Sequence, residues 1–318
     1  MRLLSTPISC WAATLLVMVS LSSCKGEGSS AEEGFVGKAN TTPSQSTETK
    51  RPLSQEFKEY WYAGKAEITS YKLEQARYGE LRDGKAVLIY VTEPFLKDKQ
   101  VKPDLPQDDQ ISVLKLNSTK KFLTGIYPYS IMNSSFYPVH DNQHAIKLTS
   151  SIQEWCGQVF TQLNNRLHYE VNSFSYFESD GDQFLKLEKK HLENEVWNKI
   201  RINPENLPTG KMEMIPSLEY VRLAHKQLKA YEAQGSLKTL DGISTYTITY
   251  PSLERTLAIQ FSSNFPYTVE GWTETYKSGT GDNAKTARST ATKIKTLKRA
   301  YWQENKNKDV IFRDSLGL

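Results

Sequence analysis

The sequence predicts a mainly β protein with a few helices, an α+β chain whose body is one large antiparallel sheet. Three observations carry this expectation. Period-two alternation rich in Tyr, Thr, Val and Ile runs through most of the chain after residue 51, the pattern of strands with one buried and one wet face. Turn dipeptides recur between the alternating runs, at Asp83-Gly84, Asn164-Asn165, Asp180-Gly181 and Asp241-Gly242; each suits the positive φ of a tight hairpin. Only two segments break the alternation with helical spacing.

In chain order, the first element lies outside that sheet. Met1-Arg2, an apolar-rich stretch from about Trp11 to Leu21 and small Ser22-Ser23 are the three parts of a secretory signal. The stretch is shorter than the roughly 20 apolar residues a spanning helix needs, so residues 1–23 read as a signal peptide. The four positions Leu21-Ser22-Ser23-Cys24 resemble the lipobox of bacterial lipoproteins, which implies lipidation at Cys24. Acyl chains, at about 0.8 kcal/mol per buried methylene, hold a protein at a bilayer without a membrane-spanning helix. Lys25 stands where enteric inner-membrane lipoproteins carry aspartate, which implies passage to the outer membrane. Glu27, Glu32 and Glu33 resemble the acidic surface-export signals of Bacteroidota lipoproteins. The periplasmic face and the cell surface both stay open.

Residues 24–51 are rich in Gly, Ser, Thr and Glu and nearly free of large apolar side chains. Such a composition buries too little surface to offset its ordering entropy and predicts a flexible tether. Residues 52–318 then read as a single β-rich domain with enough apolar and aromatic content for a core. Cys156 is the one cysteine left there, which excludes a disulfide framework. A net charge of +4 over 318 residues gives no reason to expect nucleic-acid binding.

The first helical segment is "KKHLENEVWNKI", where Leu192, Val196 and Ile200 fall four apart; the second is "PSLEYVRLAH", with Pro216 as first helical residue. Near the end, "KTARSTATKIKTLKRAYWQENKNKDVIFRD" carries nine Lys or Arg residues. It reads as a solvated edge strand whose lysines oppose aggregation, or as a surface for anionic headgroups.

The stretches "EYWYAGKAEITSYKLEQARYGELRDGKAVLIYVTEPF", "FLTGIYPYSIMNSSFYPV" and "NKDVIFRDSLGL" resemble envelope lipoproteins of Bacteroidota over most of the mature chain. Some relatives carry the label septum formation inhibitor Maf. Maf nucleotide pyrophosphatases are cytoplasmic α/β proteins with a Ser-x-Ser-x-Arg-type start, which this chain lacks, so no such activity is implied. In architecture, a long antiparallel sheet interrupted by helices on a lipidated chain is similar to the curved half-barrels of lipoprotein-sorting and related lipid-binding proteins. That similarity implies a curved, half-barrel-like sheet and no functional residue.

Signals for chemistry are sparse. Cys156 in "QEWCGQVF" could act as a thiol nucleophile with His140, His144 or His168 as base, Cys156 and His168 being the weak catalytic candidates. The stronger reading places Cys156 as a small buried side chain within a strand. "HDNQH", residues 140–144, would suit a metal on a helix; Pro138 and flanking strand-like runs make it a polar turn at Asp141-Asn142 instead. "SGTGDN", residues 278–283, reads as a loop, and neither a phosphate loop nor a Gly-x-Ser-x-Gly elbow is present. No metal and no cofactor is expected. Tyr, Phe and Trp beside prolines in "EYWYAG", "GIYPYS", "SSFYPV" and "NFPYTVEGW" are strand formers that could also stack on sugars or line an apolar cavity. The sequence therefore points to a membrane-anchored envelope lipoprotein that binds a lipid, glycan or envelope protein partner without catalysis. A structural part of an envelope complex and a cysteine-dependent envelope hydrolase are the alternatives.

Overall fold

Alternation becomes sheet along nearly the whole of the chain described by the computed structural model, residues 51–140, 143–278 and 284–318; Glu48–Leu318 forms one compact unit. The signal, Cys24 and most of the tether lie outside the described residues. So do 141–142 of the expected polar turn and 279–283 of the expected glycine-rich loop.

Ser54 caps α1 (Gln55–Trp61), accepting from the Phe57 amide at 3.1 Å. Eight strands then run as a meander: β1 (Ala66–Arg77), β2 (Glu80–Leu96), β3 (Gln110–Thr124), β4 (Tyr127–Pro138), β5 (Lys147–Glu154), β6 (Gly157–Asn165), β7 (Tyr169–Ser175) and β8 (Gln183–Leu187). After β9 (His191–Leu192) comes α2 (Glu193–Ile202), followed by β10 (Gly210–Ile215) and α3 (Leu218–Leu223). A second meander follows with β11 (Tyr231–Leu240), β12 (Ile243–Tyr250), β13 (Arg255–Ser262), β14 (Val269–Ser278) and β15 (Lys285–Arg299), and α4 (Ile311–Ser315) ends the chain. The fifteen strands of the described residues form one open sheet, in which β1 pairs with β15 and so joins the two meanders. Among the described residues only β9 and β10 pair in parallel. The predicted mainly β fold with a few helices is the fold of the protein.

The sheet curls around α2, as two of its carboxylates show. Glu195 accepts the Ala145 amide (2.8 Å), two residues before β5, while Glu193 accepts the Tyr250 hydroxyl (2.8 Å) of β12. Strands β5 and β12 stand eight places apart in the sheet order, roughly 38 Å if the sheet were flat. Two residues in one helical turn reach both only because the sheet wraps them. Inner-face residues of both meanders, among them Leu88, Tyr137, Tyr169, Tyr246 and Trp272, share one core with Val196 and Ile200 of α2.

Several expected turns sit elsewhere. Asp241-Gly242 makes the two-residue hairpin between β11 and β12, with φ of 49° and 79°, and Asp180-Gly181 lies in the β7–β8 turn. Asp83-Gly84, by contrast, lies inside β2; the real turn is Tyr78-Gly79, again with two positive φ. A Cβ on Gly84 would come within 2.5 Å of the Lys121 carbonyl oxygen, so this glycine serves close backbone approach. Asn164-Asn165 ends β6, and the turn is 166–168. The first residue of α3 is Leu218, not Pro216, and Ser217 caps the helix, accepting from the Tyr220 amide. The lysine-rich segment is no edge strand: β15 lies between β1 and β14, and the sheet's edges are β8 and β9. Alternating charge marks one wet face, and a central strand with an exposed outer face has one as well as an edge strand does.

Buried charges on the inner face come with partners. Arg201 is bidentate on Glu67 (2.5 and 2.6 Å) beneath the rings of Trp61 and Tyr90. Arg255 grips Glu193 and Glu274 (2.7 Å to each by separate nitrogens) under Tyr220. Burial pushes the Glu67 carboxyl up, but the Arg201 charge and its hydrogen bonds outweigh it and hold Glu67 below the usual range. Glu274 is likewise held down, by Arg255 and Lys120 against burial.

Candidate functional site

Period two decides what faces outward at the middle of the sheet. In β2, Ala86, Leu88 and Tyr90 point to the core, which leaves Val87, Ile89 and Val91 on the other face. Ile68 of β1 and Leu297 of β15 join them there. This outward apolar patch is crossed by the C-terminal segment, whose Leu316 packs on Ala66, Ile68 and Val91 while the Ser70 hydroxyl donates to the Leu316 carbonyl. Arg299 fixes the start of the crossing: its Nε donates to Glu304 (2.6 and 2.9 Å), and its guanidinium lies 3.7 Å over the Phe312 ring.

Between segment and sheet a groove of about 570 Å³ remains, within the range of small-molecule sites, roughly 300–1,000 Å³. Its floor is apolar, from Val87, Ile89, Leu297 and Phe312. Its rim carries Lys85, Lys121, Arg299, Lys306 and Arg313 against two acids, Glu304 and Asp309. Glu304 is already engaged by Arg299, and Asp309 accepts the Lys306 amide (3.0 Å). Lys85, Lys121 and Arg313 make no ion pair among the described residues. The lining includes neither Cys nor His. This arrangement can hold an apolar body and an anionic head.

The catalytic candidates are not brought together. Cys156 is exposed in the two-residue turn with Trp155 between β5 and β6, not buried in a strand. Its amide donates to the Glu154 carboxylate (2.7 Å); hydrogen bonding to Glu154 pushes the thiol pKa up, the wrong direction for a nucleophile. His168 sits exposed in the turn at the far end of β6, a nine-residue strand that spans roughly 30 Å. His140 Nδ1 faces the Arg51 carbonyl (3.4 Å).

His144 has a different partner, one that its local sequence does not announce. Its Nδ1 lies 2.9 Å from Glu195 Oε1, and with His191 these form a group whose ligand atoms all lie within 4.8 Å of one another. These three residues have the spacing to hold a metal ion. The carboxylate, however, is already filled by protein donors, with Lys199 Nζ at 2.9 Å on Oε1 and the Ala145 amide on Oε2. The Lys199 ammonium supplies the positive charge at this node, which ties the segment before β5 to α2. Burial lowers the His191 pKa and keeps its imidazole neutral.

Of the aromatic stretches singled out in the sequence, Trp61, Tyr129, Tyr137 and Trp272 are core residues. A group of exposed aromatics, Trp155, Phe160, Phe174, Tyr176 and Phe184, lies on β6 to β8 and their turns. Comparison of the chain with known protein families, curated proteins and solved structures returns no match. No helix among the described residues is long and apolar enough to cross a membrane.

Proposed function

We propose that this chain is a non-catalytic binding lipoprotein of the cell envelope, anchored through Cys24 and probing its surroundings on the 24–51 tether, and that it binds an anionic amphiphile. The outer groove carries this reading: an apolar floor beside cations without ion-pair partners is complementary to an acyl chain with a phosphate or carboxylate head. The outer membrane, reached by a lipidated chain with lysine after the cysteine, is rich in such molecules.

Titration of the purified chain with dodecyl phosphate, followed by calorimetry, tests the reading. Binding should weaken about tenfold or more in Lys85→Glu/Lys121→Glu, which converts to a loss of about 1.4 kcal/mol, and uncharged dodecanol should bind less well than the phosphate. Equal binding of the two, or no effect of the paired substitution, would sink the proposal. Anchoring is checked separately by incorporation of labelled palmitate, expected for the native chain and lost with Cys24→Ser.

A further inference from the structure

The inner face holds a second cavity, separate from the groove. It encloses about 70 Å³ between the first turn of α2, α3 and the inner residues of β1, β3, β4, β13 and β14. A water needs roughly 10–15 Å³ of space measured this way, so the cavity accommodates about five waters or a ligand of about five non-hydrogen atoms.

Its charges do not cancel. Two cations, Lys120 and Arg255, face three carboxylates, Glu193, Glu219 and Glu274. Lys120 pairs with Glu219 (2.7 Å), and Arg255 divides itself between the other two. Arg77 does not line the cavity; its guanidinium donates to the Leu223 carbonyl (2.8 Å). Among the lining residues the carboxylates outnumber the cations by one.

Polar atoms without partners point the same way. Gln75, Asn133 and Ser135 line this cavity; their Oε1, Oδ1 and Oγ have no hydrogen-bond partner among the described residues, although the three residues are only 3%, 7% and 3% exposed. The two amide oxygens are oriented by their own nitrogens: Gln75 Nε2 donates to Ser289 Oγ (3.1 Å) and Asn133 Nδ2 to Glu219 (2.8 Å). A buried acceptor left unsatisfied forfeits its hydration without replacement, and such groups in native proteins point to a missing donor. Trp197, Trp272, Tyr220 and Tyr276 supply aromatic walls, whose ring faces attract cations.

We propose that this cavity binds a small primary-ammonium compound, an amino alcohol in size and chemistry, whose N–H groups donate to Gln75 and Asn133 and whose charge balances the third carboxylate. The site is independent of the outer groove and of what binds there.

Calorimetric titration of the full chain with ethanolamine, and with ethylene glycol and acetate as neutral and anionic compounds of similar size, tests it. Ethanolamine should bind at least about tenfold more tightly than either control. Gln75→Leu and Asn133→Leu should each abolish that preference, and Ser135→Ala, the smallest change, should weaken ethanolamine binding while leaving the circular dichroism spectrum unaltered. Equal binding of ethylene glycol and ethanolamine, or heats indistinguishable from dilution for all three compounds, would mean that the cavity holds water alone and would overturn the proposal.

Discussion

Arg201 and Lys85 bring positive charge to the same central strands from opposite faces of the sheet. Arg201 is 1% exposed, clasped by Glu67 and roofed by two aromatic rings; Lys85 is exposed on the groove rim without an ion pair. A charge taken out of water costs several kcal/mol unless it is paired and hydrogen-bonded. The inner charges therefore arrive with their partners and fix α2 in place, whereas Lys85, Lys121 and Arg313 of the outer groove are left open to something outside the chain. Pairing, more than charge itself, separates Arg201 from Lys85.

The sharpest way to break that comparison is to remove one member of each kind. Arg201→Met strands Glu67 in the core and should destabilise the protein by about 3–5 kcal/mol, while Lys85→Met should stay within about 0.5 kcal/mol of the parent. Urea unfolding of both variants checks this, and similar losses for the two would erase the distinction.

A smaller effect is expected with acid. Glu67, Glu195 and Glu274 are all held below the ordinary carboxylate range despite burial, chiefly by Arg201, by Lys199 with His144, and by Arg255. Their folded pKa values lie under the unfolded one of about 4.3. The stability they contribute is thus fully present above that value and is lost only as pH falls through the folded values. Thermal melts between neutrality and strong acid should hold their midpoint to about pH 5 and drop below it. A drop beginning near pH 6 would show that these carboxylates are poorly paired.

The least effect belongs to Cys156. A maleimide should label this thiol completely in the folded protein, and Cys156→Ser should leave stability within about 0.5 kcal/mol. A thiol reactive only after unfolding would contradict its place in the β5–β6 turn.

Much of the fold was legible because alternation is local. The meander, α2 and the Asp241-Gly242 hairpin depend on residues close in sequence. Asp83-Gly84 was misread because the same dipeptide has two uses: Gly242 provides a positive φ, whereas Gly84 has no Cβ to strike Lys121, and its neighbour across the sheet is unknown until β2 pairs with β3. Strand β2 also spans 17 residues, far beyond the usual five or six, which invites a turn in its middle. Cys156 was placed in the core by the general habits of cysteine, yet a two-residue hairpin exposed it. The groove was only half visible: Arg299 and Lys306 belong to the basic stretch noted in the sequence, while Lys85 and Lys121 join them only across strands. Glu195 and His144 meet 51 positions apart, a pairing that no local pattern encodes.

The pairing of β1 with β15 has a consequence for how the chain assembles. Each meander can zip up from neighbouring hairpins, with short loops to close and low entropic cost. The seam between them brings Ala66 to Arg299 and forms only when both halves are in hand, so it is the slow, nonlocal step that topology imposes on folding. Until then each half presents an unpaired strand to solvent, β1 on one and β15 on the other. The lysines and threonines of β15 make its exposed ladder a poor template for strangers during that interval, and its proper partner then buries it at the centre of the finished sheet.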